Sequence, residues 1–268
     1  MAISETEFQE IVKFFKDRYG VNLKEKRALI EGRLASVMMK GNYATYSDFM
    51  QKVTQNPFGE EATTLVNSLT TNHTFFLRES VHFDFLKNVA LPELKAKNAS
   101  KKDLGIWSAA ASSGEEAFTI SMVLKDFFKL EFQNWDTTIL ATDVSRKALS
   151  IGAAGIYDEE RVKDIPADWL SHNFDRTPDG RYAIKKELKD RVLFRYFNLM
   201  EQFPFKRKFD IVFLRNVMIY FDEETKVKLL KKIYDVMEPG GYLFIGCTEI
   251  IDKTKSDFQS VQPSIYRR

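Results

Sequence analysis

A strand that runs into a turn of small residues and then into a helix constrains the fold of this chain more than any other stretch. Residues 104–111 form a largely apolar run, and residues 110–114 read Ala-Ala-Ser-Ser-Gly. A helical pattern begins at Glu115. Strand, tight turn and helix in this order open the βαβ units that bind nucleotides, because small residues let a ligand approach the backbone and the helix N-terminus closely.

Strands alternate with helices from this point to the end of the chain. The predicted strands are residues 104–110, 137–142, 192–197, 209–214 and 242–246. The predicted helices are residues 115–130, 145–154 and 223–237. Such alternation predicts an α/β fold, with a parallel sheet that helices cover on both faces.

Three stretches depart from the regular alternation. Residues 155–190 contain a turn signal at residues 177–180, Thr-Pro-Asp-Gly, which predicts a small antiparallel excursion. Insertions of this length often carry function, although a surface elaboration explains the length equally well. Residues 239–241, Pro-Gly-Gly, predict a turn before the last strand, and residues 258–266 predict a terminal strand or hairpin.

Residues 1–70 predict a small all-helical domain, since apolar residues recur there at helical spacing and no strand pattern is present. Ser4 and Glu7 form a capping box for the first helix, which ends at Gly20. The second helix is predicted at residues 24–39. Thr45 or Ser47 caps a third, and residues 60–69 form a fourth.

Positive charge is concentrated in residues 12–40, where eight Lys or Arg residues face three acidic ones, a net charge of +5. A solvated helical face explains this charge as well as a docking face for an acidic partner does. In the docking interpretation, Lys26, Arg27 and Arg33 are free to contact the partner, because their helix turns its apolar residues to the domain core.

Composition excludes several classes of protein. The 268 residues carry a net charge of only +2, which by itself does not indicate nucleic-acid binding. The single cysteine, Cys247, excludes a disulfide framework and a Cys-based zinc site; its apolar surroundings predict a buried, inert thiol, and no metal site is expected. The N-terminal residues do not form a signal peptide and no apolar run could span a membrane, so we expect a cytoplasmic protein.

Polar residues follow the ends of four predicted strands, at the sheet edge where α/β proteins bind ligands. Asp143 ends the second strand, in the position that binds a ribose diol. The turn after the first strand retains only Gly114 of the glycines that a pyrophosphate requires, which argues against a nicotinamide-dependent oxidoreductase. A ligand without phosphates, such as S-adenosyl-L-methionine (AdoMet), fits this turn better.

Two segments resemble the CheR family of chemotaxis receptor methyltransferases. Residues 71–79, Thr-Asn-His-Thr-Phe-Phe-Leu-Arg-Glu, are similar to the family's TN-x-T-x-FF-RE segment, and residues 107–116 resemble its WSAA-x-S-x-GEE motif. Shorter matches follow in order at residues 141–145, 155–157, 215–221 and 239–246. The resemblance covers nearly the whole chain and implies a class I AdoMet-dependent methyltransferase domain, Rossmann-like, with a helical N-terminal domain and a small antiparallel β-insertion.

The resemblance implies three regions. Residues 1–70 are the helical, receptor-docking domain, residues 71–95 are a linker that contributes to the cofactor site, and residues 96–268 are the AdoMet-binding α/β domain with its insertion at residues 155–190. In some members of the family, this insertion binds a tethering peptide of the receptor.

The implied activity is transfer of a methyl group from AdoMet to glutamate side-chain carboxylates of chemoreceptors, giving glutamyl methyl esters and S-adenosyl-L-homocysteine. The implied partners are cytoplasmic helices of chemoreceptors, without nucleic acid or membrane insertion, and a monomer is expected. The alternative is a catalytically silent AdoMet-binding module that binds receptors.

The resemblance also implies roles for individual residues. The expected cofactor-binding residues are Asn72, Thr74, Arg78, Glu116, Asp143, Asn198, Leu199, Asn216 and Val217. Arg78 and Tyr220 are expected nearest to the transferred methyl group. A glutamate is already ionised at neutral pH, so the site needs to align the reacting atoms rather than supply a general base.

Overall fold

Four helices form the N-terminal part of the structure, a computed structural model that describes residues 2–268. They are α1 (Glu5–Tyr19), α2 (Arg27–Lys40), α3 (Tyr46–Gln55) and α4 (Glu60–Leu69). Capping boxes begin two of them, Ser4 with Glu7 at α1 and Thr45 with Asp48 at α3. Gly20 ends α1 in the left-handed conformation, with φ at 71°. The predicted all-helical character of this region is confirmed, although α2 begins later than predicted.

The helices enclose a core of their own. Phe8, Phe15, Leu34, Phe49 and Leu65 are all buried in it and come from all four helices. Each helix therefore buries one apolar face, as the helical spacing predicted.

A long helical stretch then leads into the α/β part. It consists of α5 (Val81–Phe85), a π-helical turn (Leu86–Ala90) and α6 (Leu91–Lys97). Phe83, Leu86 and Leu91 on this stretch are buried in the main core. The stretch predicted as a linker, residues 71–95, is therefore helical from Val81 onward, and only the residues before α5 connect the two parts without a helix. The division into domains itself stays a prediction.

The remaining elements alternate as predicted. In chain order they are β1 (Ile106–Ala109), α7 (Glu115–Phe128), a 3-10 helix (Lys129–Asn134), β2 (Ile139–Asp143), α8 (Arg146–Ala154), β3 (Ile156–Tyr157), α9 (Glu159–Val162), α10 (Ala167–Asn173), β4 (Phe174–Arg176), β5 (Tyr182–Ile184), α11 (Lys186–Lys189), β6 (Val192–Tyr196), β7 (Phe209–Leu214), a 3-10 helix (Met218–Tyr220), α12 (Glu223–Val236), β8 (Met237–Ile245), β9 (Gln259–Gln262) and β10 (Ile265–Arg267). Within residues 2–268, no helix is long and apolar enough to cross a membrane.

Seven strands form one twisted sheet in the order β6-β2-β1-β7-β8-β10-β9. The first five are parallel, while β10 runs antiparallel to both β8 and β9, which confirms the predicted terminal hairpin. Both β1 and β7 are buried along their whole length. This burial explains their almost continuous apolar sequences, because helices cover a parallel sheet on both faces.

The prediction of a turn at residues 239–241 is wrong. Pro239, Gly240 and Gly241 lie inside β8, and Gly240 has φ at 77°. The register between β7 and β8 shifts between Phe209 and Ile211. The strand therefore absorbs the Pro-Gly-Gly sequence as an irregularity in its pairing, because the residues that favour a turn also favour a bulge.

Cys247 is exposed, which corrects the prediction of a buried thiol. Strand β8 ends at Ile245, so the cysteine lies in the loop that follows the strand. Its backbone N–H donates to Glu79 Oε2 at 3.1 Å. The apolar run that suggested burial ends with the strand, two residues before Cys247, so the thiol lies outside the buried part of the strand.

The insertion forms the predicted antiparallel excursion. Strands β3, β5 and β4 make a separate three-stranded sheet, and the β4–β5 hairpin closes where Gly180 N–H donates to the Thr177 carbonyl at 2.9 Å. Tyr157, Phe174 and Ile184 anchor this sheet in the main core.

Alanine substitutions at Gly105, before β1, and at Gly32, in α2, test the packing of the α/β part and of the helical part. A Cβ at Gly105 would lie 2.5 Å from the Lys208 carbonyl oxygen and 3.0 Å from Phe209 Cα, both backbone atoms. We expect Gly105→Ala to lower the free energy of unfolding in urea by about 1–3 kcal/mol. A Cβ at Gly32 meets nothing within 4 Å, so Gly32→Ala should raise it by about 0.5–1 kcal/mol. Equal stability of the two variants would contradict this packing.

Candidate functional site

A cavity lies where the carboxyl ends of β1, β2 and β7 and the segment after β6 meet the helical domain. Its walls come from both parts of the chain, and it is a cleft open to solvent of the kind in which proteins bind small ligands. The structure brings all ten residues predicted for the cofactor and the chemistry to this cavity: Asn72, Thr74, Arg78, Glu116, Asp143, Asn198, Leu199, Asn216, Val217 and Tyr220. Their individual roles stay predictions.

The turn after β1 uses its own backbone N–H groups. Those of Ala110 and Ala111 donate to the Thr142 carbonyl at 2.9 and 2.8 Å, and that of Ser112 donates to Asp143 Oδ2 at 2.9 Å. Ala110 and Ser112 adopt φ values of 79° and 51°, which side chains rarely do. These three N–H groups are therefore engaged with β2, so they do not form a nest for phosphates. This arrangement agrees with a ligand that lacks them.

Asp143 holds this turn and still has capacity for a ligand. Its Oδ2 accepts the Ser112 N–H, and its Oδ1 accepts the Ser145 N–H at 2.8 Å. Burial raises the pKa of Asp143, although the two N–H groups oppose the rise. Each carboxylate oxygen has two lone pairs, so each retains one for a hydroxyl group of a ligand.

Arg215, at the end of β7, joins three segments around the cavity and was not predicted. Its Nη1 donates to Glu116 Oε2 at 2.9 Å, and its Nη2 donates to Glu79 Oε2 at 3.0 Å. The Nη2 group also donates to the backbone carbonyl of Arg78. The signal in the sequence was an arginine directly after the largely apolar run of residues 209–214, since a buried arginine is rare unless it is paired.

Glu79 is the second unpredicted residue of this network. Burial would raise its pKa, but hydrogen bonds from Asn216 and the charge of Arg215 outweigh the burial and lower the pKa. Asn216 Nδ2 donates to Glu79 Oε1 at 3.1 Å, and Asn216 itself has φ at 54°. Glu79 therefore fixes an expected cofactor residue in a strained conformation.

Glu249 holds the segment that leads to Tyr220. Its Oε2 accepts the N–H groups of Asn216 at 2.9 Å and Gly246 at 2.6 Å, and its Oε1 accepts the Ile219 N–H at 3.1 Å. Burial raises the pKa of this carboxyl, and the backbone N–H groups oppose the rise. No pattern in the sequence distinguished Glu249 from other acidic loop residues.

The helical domain supplies a wall of the cavity that the sequence did not reveal. Val21 forms an antiparallel bridge with Phe221, and the Asn22 N–H donates to the Tyr220 carbonyl at 2.9 Å. The cavity is lined from this domain by Phe15, Tyr19, Val21, Asn22, Leu23, Lys26, Leu29, Leu69 and Thr70. The site is therefore built by both parts of the chain.

Asn198 contributes to the contact between the helical domain and the segment after β6. Its Nδ2 donates to the Arg18 carbonyl at 2.7 Å, and its Oδ1 accepts the Met200 N–H at 3.0 Å. The amide keeps one further donor and one further lone pair, so cofactor binding by Asn198 stays a prediction.

Arg78 and Tyr220 lie on the same cavity, both half-buried. Arg78 Nη1 donates to the His73 carbonyl at 2.9 Å, and its guanidinium carbon lies 5.7 Å from the centre of the Phe75 ring. None of the ion pairs found among residues 2–268 includes Arg78. Its remaining donors are therefore available to an anion.

Family models match the two parts of the chain separately. One described as the all-alpha domain of CheR methyltransferase matches residues 6–70, and one described as the SAM binding domain of CheR methyltransferase matches residues 72–267. The chain belongs to the CheR methyltransferase family. The resemblance drawn from the sequence motifs is confirmed.

Bacterial relatives align with this CheR-family chain over nearly their full lengths. A chemotaxis protein methyltransferase of Borreliella burgdorferi is 40% identical, over 99% of this chain and 95% of the relative. Chemotaxis protein methyltransferase Cher2 of Pseudomonas putida is 34% identical, over 98% and 97%. A chemotaxis protein methyltransferase of Escherichia coli is 30% identical, over 99% and 92%. The chain is an AdoMet-dependent methyltransferase of chemotaxis.

The CheR cavity suits AdoMet by its lone pairs and its apolar surface. Asp143 keeps acceptors for the two hydroxyls of a ribose, whereas the Glu116 carboxylate is paired with Arg215. Leu199 and Val217 add apolar surface. When bound, AdoMet supplies an electrophilic methyl group.

Two residues of the predicted basic docking face make contacts inside the helical domain. Arg27 Nη1 donates to the Ile3 carbonyl at 2.9 Å, and Arg27 also pairs with Glu5. Arg33 Nη1 donates to the Thr70 carbonyl at 3.1 Å, beyond the end of α4. These two guanidinium groups are therefore partly engaged within the helical domain, and their role in docking stays a prediction. Lys26 is exposed and lines the cavity, and its role in docking stays a prediction.

His82 lies under the Arg215 network. It is fully buried, with Nε2 2.7 Å from Ser264 Oγ and Nδ1 3.6 Å from Glu79 Oε2. Burial and the nearby charge of Arg215 lower its pKa to about 4. The atoms of Glu79, His82 and Cys247 lie within 4.8 Å of one another, but Glu79 Oε2 already accepts hydrogen bonds from Arg215 and Cys247. The expectation of no metal stays a prediction.

The buried histidine should make stability depend on pH. The unfolded histidine titrates near 6.5, so between about pH 6.5 and pH 4 the unfolded chain binds more protons and the free energy of unfolding falls as pH falls. We expect His82→Gln to reduce that loss by up to about 3 kcal/mol between about pH 7 and pH 4.5, measured by urea unfolding. The exposed His172→Gln variant is the control, and an unchanged slope in His82→Gln would contradict the assignment.

Asp143→Asn tests the cofactor site. Asparagine retains one acceptor oxygen but loses the charge, and hydrogen bonds to a charged group contribute about 1.5–3 kcal/mol each. We therefore expect AdoMet affinity, measured by calorimetry, to fall at least about tenfold. Asp175→Asn removes an exposed charge on the insertion and should leave the affinity unchanged. Wild-type affinity in a folded Asp143→Asn protein would rule out the ribose assignment.

Proposed function

We propose that this enzyme methylates glutamate side-chain carboxylates of chemoreceptors and produces glutamyl methyl esters and S-adenosyl-L-homocysteine. The observation that carries the proposal is Arg78, a half-buried cation on the cavity that no carboxylate neutralises among residues 2–268. A carboxylate substrate needs such a cation to enter a partly desolvated site. The names of the relatives, which are chemotaxis methyltransferases, support receptors as the substrates.

The reaction requires the enzyme to position the glutamate carboxylate rather than to transfer a proton. A glutamate has a pKa of about 4.3 and is ionised at neutral pH, so it attacks without a general base. Arg78 attracts and orients the carboxylate, and the Tyr220 hydroxyl can donate a second hydrogen bond. The attacking oxygen loses its charge in the transition state, so a cation that bound the carboxylate too tightly would slow the reaction.

The network behind these residues keeps them in place. Arg215 binds the backbone carbonyl of Arg78, and Glu249 holds the backbone just before Tyr220. Both groups are buried, so their hydrogen bonds do not compete with bulk water. Preorganisation of this kind supplies the orientation that an in-line displacement requires.

The proposal includes the setting of the reaction. The partner is a cytoplasmic helix of a chemoreceptor, which the domain formed by residues 1–70 docks, and the enzyme acts in the cytoplasm as a monomer. It binds no nucleic acid and does not insert into a membrane. Exposed lysines on the helical domain, with Lys26 nearest the cavity, provide the charge for that docking.

Transfer of labelled methyl groups to purified cytoplasmic receptor fragments tests this function. We expect alkali-labile label on glutamates, as a methyl ester requires. Arg78→Ala should lower kcat/KM for the fragment by about a hundredfold, with a smaller change in AdoMet affinity, because it misplaces the nucleophile. Arg78→Lys keeps the charge and should recover part of the rate.

Tyr220→Phe should also lower turnover more than cofactor affinity. Normal turnover in Arg78→Ala would remove that residue from the mechanism. A wild-type protein that binds AdoMet but methylates no receptor fragment would instead support the catalytically silent, receptor-binding module.

A further inference from the structure

Three large apolar side chains are exposed on the segments that border the cavity. The exposed fractions are 40% for Phe75, 53% for Ile219 and 83% for Ile250, and we call these residues the apolar rim. Phe75 lines the cavity itself, and Ile219 lies between the cavity-lining residues Val217 and Tyr220. Exposed apolar side chains beside a site indicate a surface that a partner covers, because their removal from water is favourable.

One buried carboxylate anchors the backbone at, or next to, two members of the rim. Glu249 accepts the Ile219 N–H at 3.1 Å and also binds the backbone of Asn216 and Gly246. Ile250 follows Glu249 directly in the chain, so both isoleucines project from backbone that this carboxylate anchors. A surface already held rigid loses little conformational freedom when a partner binds.

Charged groups lie next to the rim. The Phe75 ring packs at 5.7 Å from the Arg78 guanidinium carbon, and Arg78 faces the cavity together with Lys26. A partner that matches this surface presents a carboxylate to the cations and apolar side chains to the rim. On a helix, residues three or four positions apart lie on the same face, so apolar neighbours one turn from a glutamate meet this requirement.

We propose that the apolar rim binds the substrate helix of the receptor through apolar side chains one turn from the acceptor glutamate. This inference rests on the proposed function and adds the feature by which an acceptor glutamate is selected. The binding energy of the rim comes from groups that do not react. It therefore positions the glutamate without stabilising the carboxylate charge that is lost in the transition state. Salt screens charges but leaves this apolar contact intact.

The double variant Ile219→Ser with Ile250→Ser tests the rim. We expect it to raise both the Kd and the KM for a receptor fragment about tenfold, with AdoMet affinity within about twofold of wild type. The increase should be the same at about 0.1 M and about 1 M salt. The matched control is Leu130→Ser with Leu193→Ser, which removes two apolar side chains that are 96% and 40% exposed elsewhere. Wild-type Kd and KM in the rim variant, or an equal rise in the control, would overturn the proposal.

Two further measurements keep the outcome clear. Ile250→Ser alone changes a side chain that is 83% exposed, so it retains the fold and should show a smaller increase of the same kind. The second measurement uses a receptor fragment whose apolar residues beside the acceptor glutamate are replaced by serine. The wild-type enzyme should bind this fragment weakly, and the rim variant should bind it with nearly the same Kd as the wild type does. Fully additive losses would show that the two surfaces do not touch and would overturn the proposal.

Binding and methylation of the same fragment separate this inference from the proposed function. Rim-dependent binding without methyl transfer by the wild type would refute the glutamate methyltransferase and retain the rim. Methyl transfer with rim-independent binding would refute the rim and retain the enzyme.

Discussion

The buried guanidinium of Arg215 is the interaction on which the site depends. It joins the end of β7 to Glu116 at the start of α7 and to Glu79 and the Arg78 carbonyl in the segment between the two domains. The side chain is 2% exposed, so its charge is stabilised by these partners rather than by water. Removal of one partner of a buried ion pair costs about 3–5 kcal/mol. An apolar residue would fill the same volume but would leave the backbone of Arg78 without its anchor.

This anchoring supports backbone strain around the cavity. Leu77, Glu79, Ala110, Ser112 and Asn216 all have positive φ values between 51° and 79°. Such conformations cost of the order of 1–3 kcal/mol each and persist only where the surroundings enforce them. In this enzyme the enforcing groups are side chains of the same site, Asp143 for the first turn and Glu249 and Glu79 for the residues after β7. The hydrogen bonds of the network therefore stabilise the strained backbone, and the strained backbone in turn places the groups that form the network.

The sequence predicted those features that depend on local pattern. The bounds of β7 agree with the prediction, because a fully buried strand is almost continuously apolar. Strand-end residues such as Asp143 lie at one edge of the sheet, because parallel strands end on the same side. Partners that are backbone atoms were not predictable. The Arg33 contact with the Thr70 carbonyl and the Asn22 contact with the Tyr220 carbonyl leave no trace in residue type. The turn predicted at residues 239–241 was wrong for another reason, since proline and glycine suit both a turn and a β-bulge.

The contacts between the helical domain and the α/β domain reach residues that line the cavity. Asn22 N–H donates to the carbonyl of Tyr220, and the Asn198 amide donates to the carbonyl of Arg18. Lys16 and Asp222 form an ion pair of 3.1 Å on the same edge. A displacement of the end of α1 therefore breaks bonds at a residue of the cavity, not at a remote hinge. Methyl transfer requires close alignment of the reacting atoms, so the contacts that hold the helical domain against the cavity residues also hold part of the site in place.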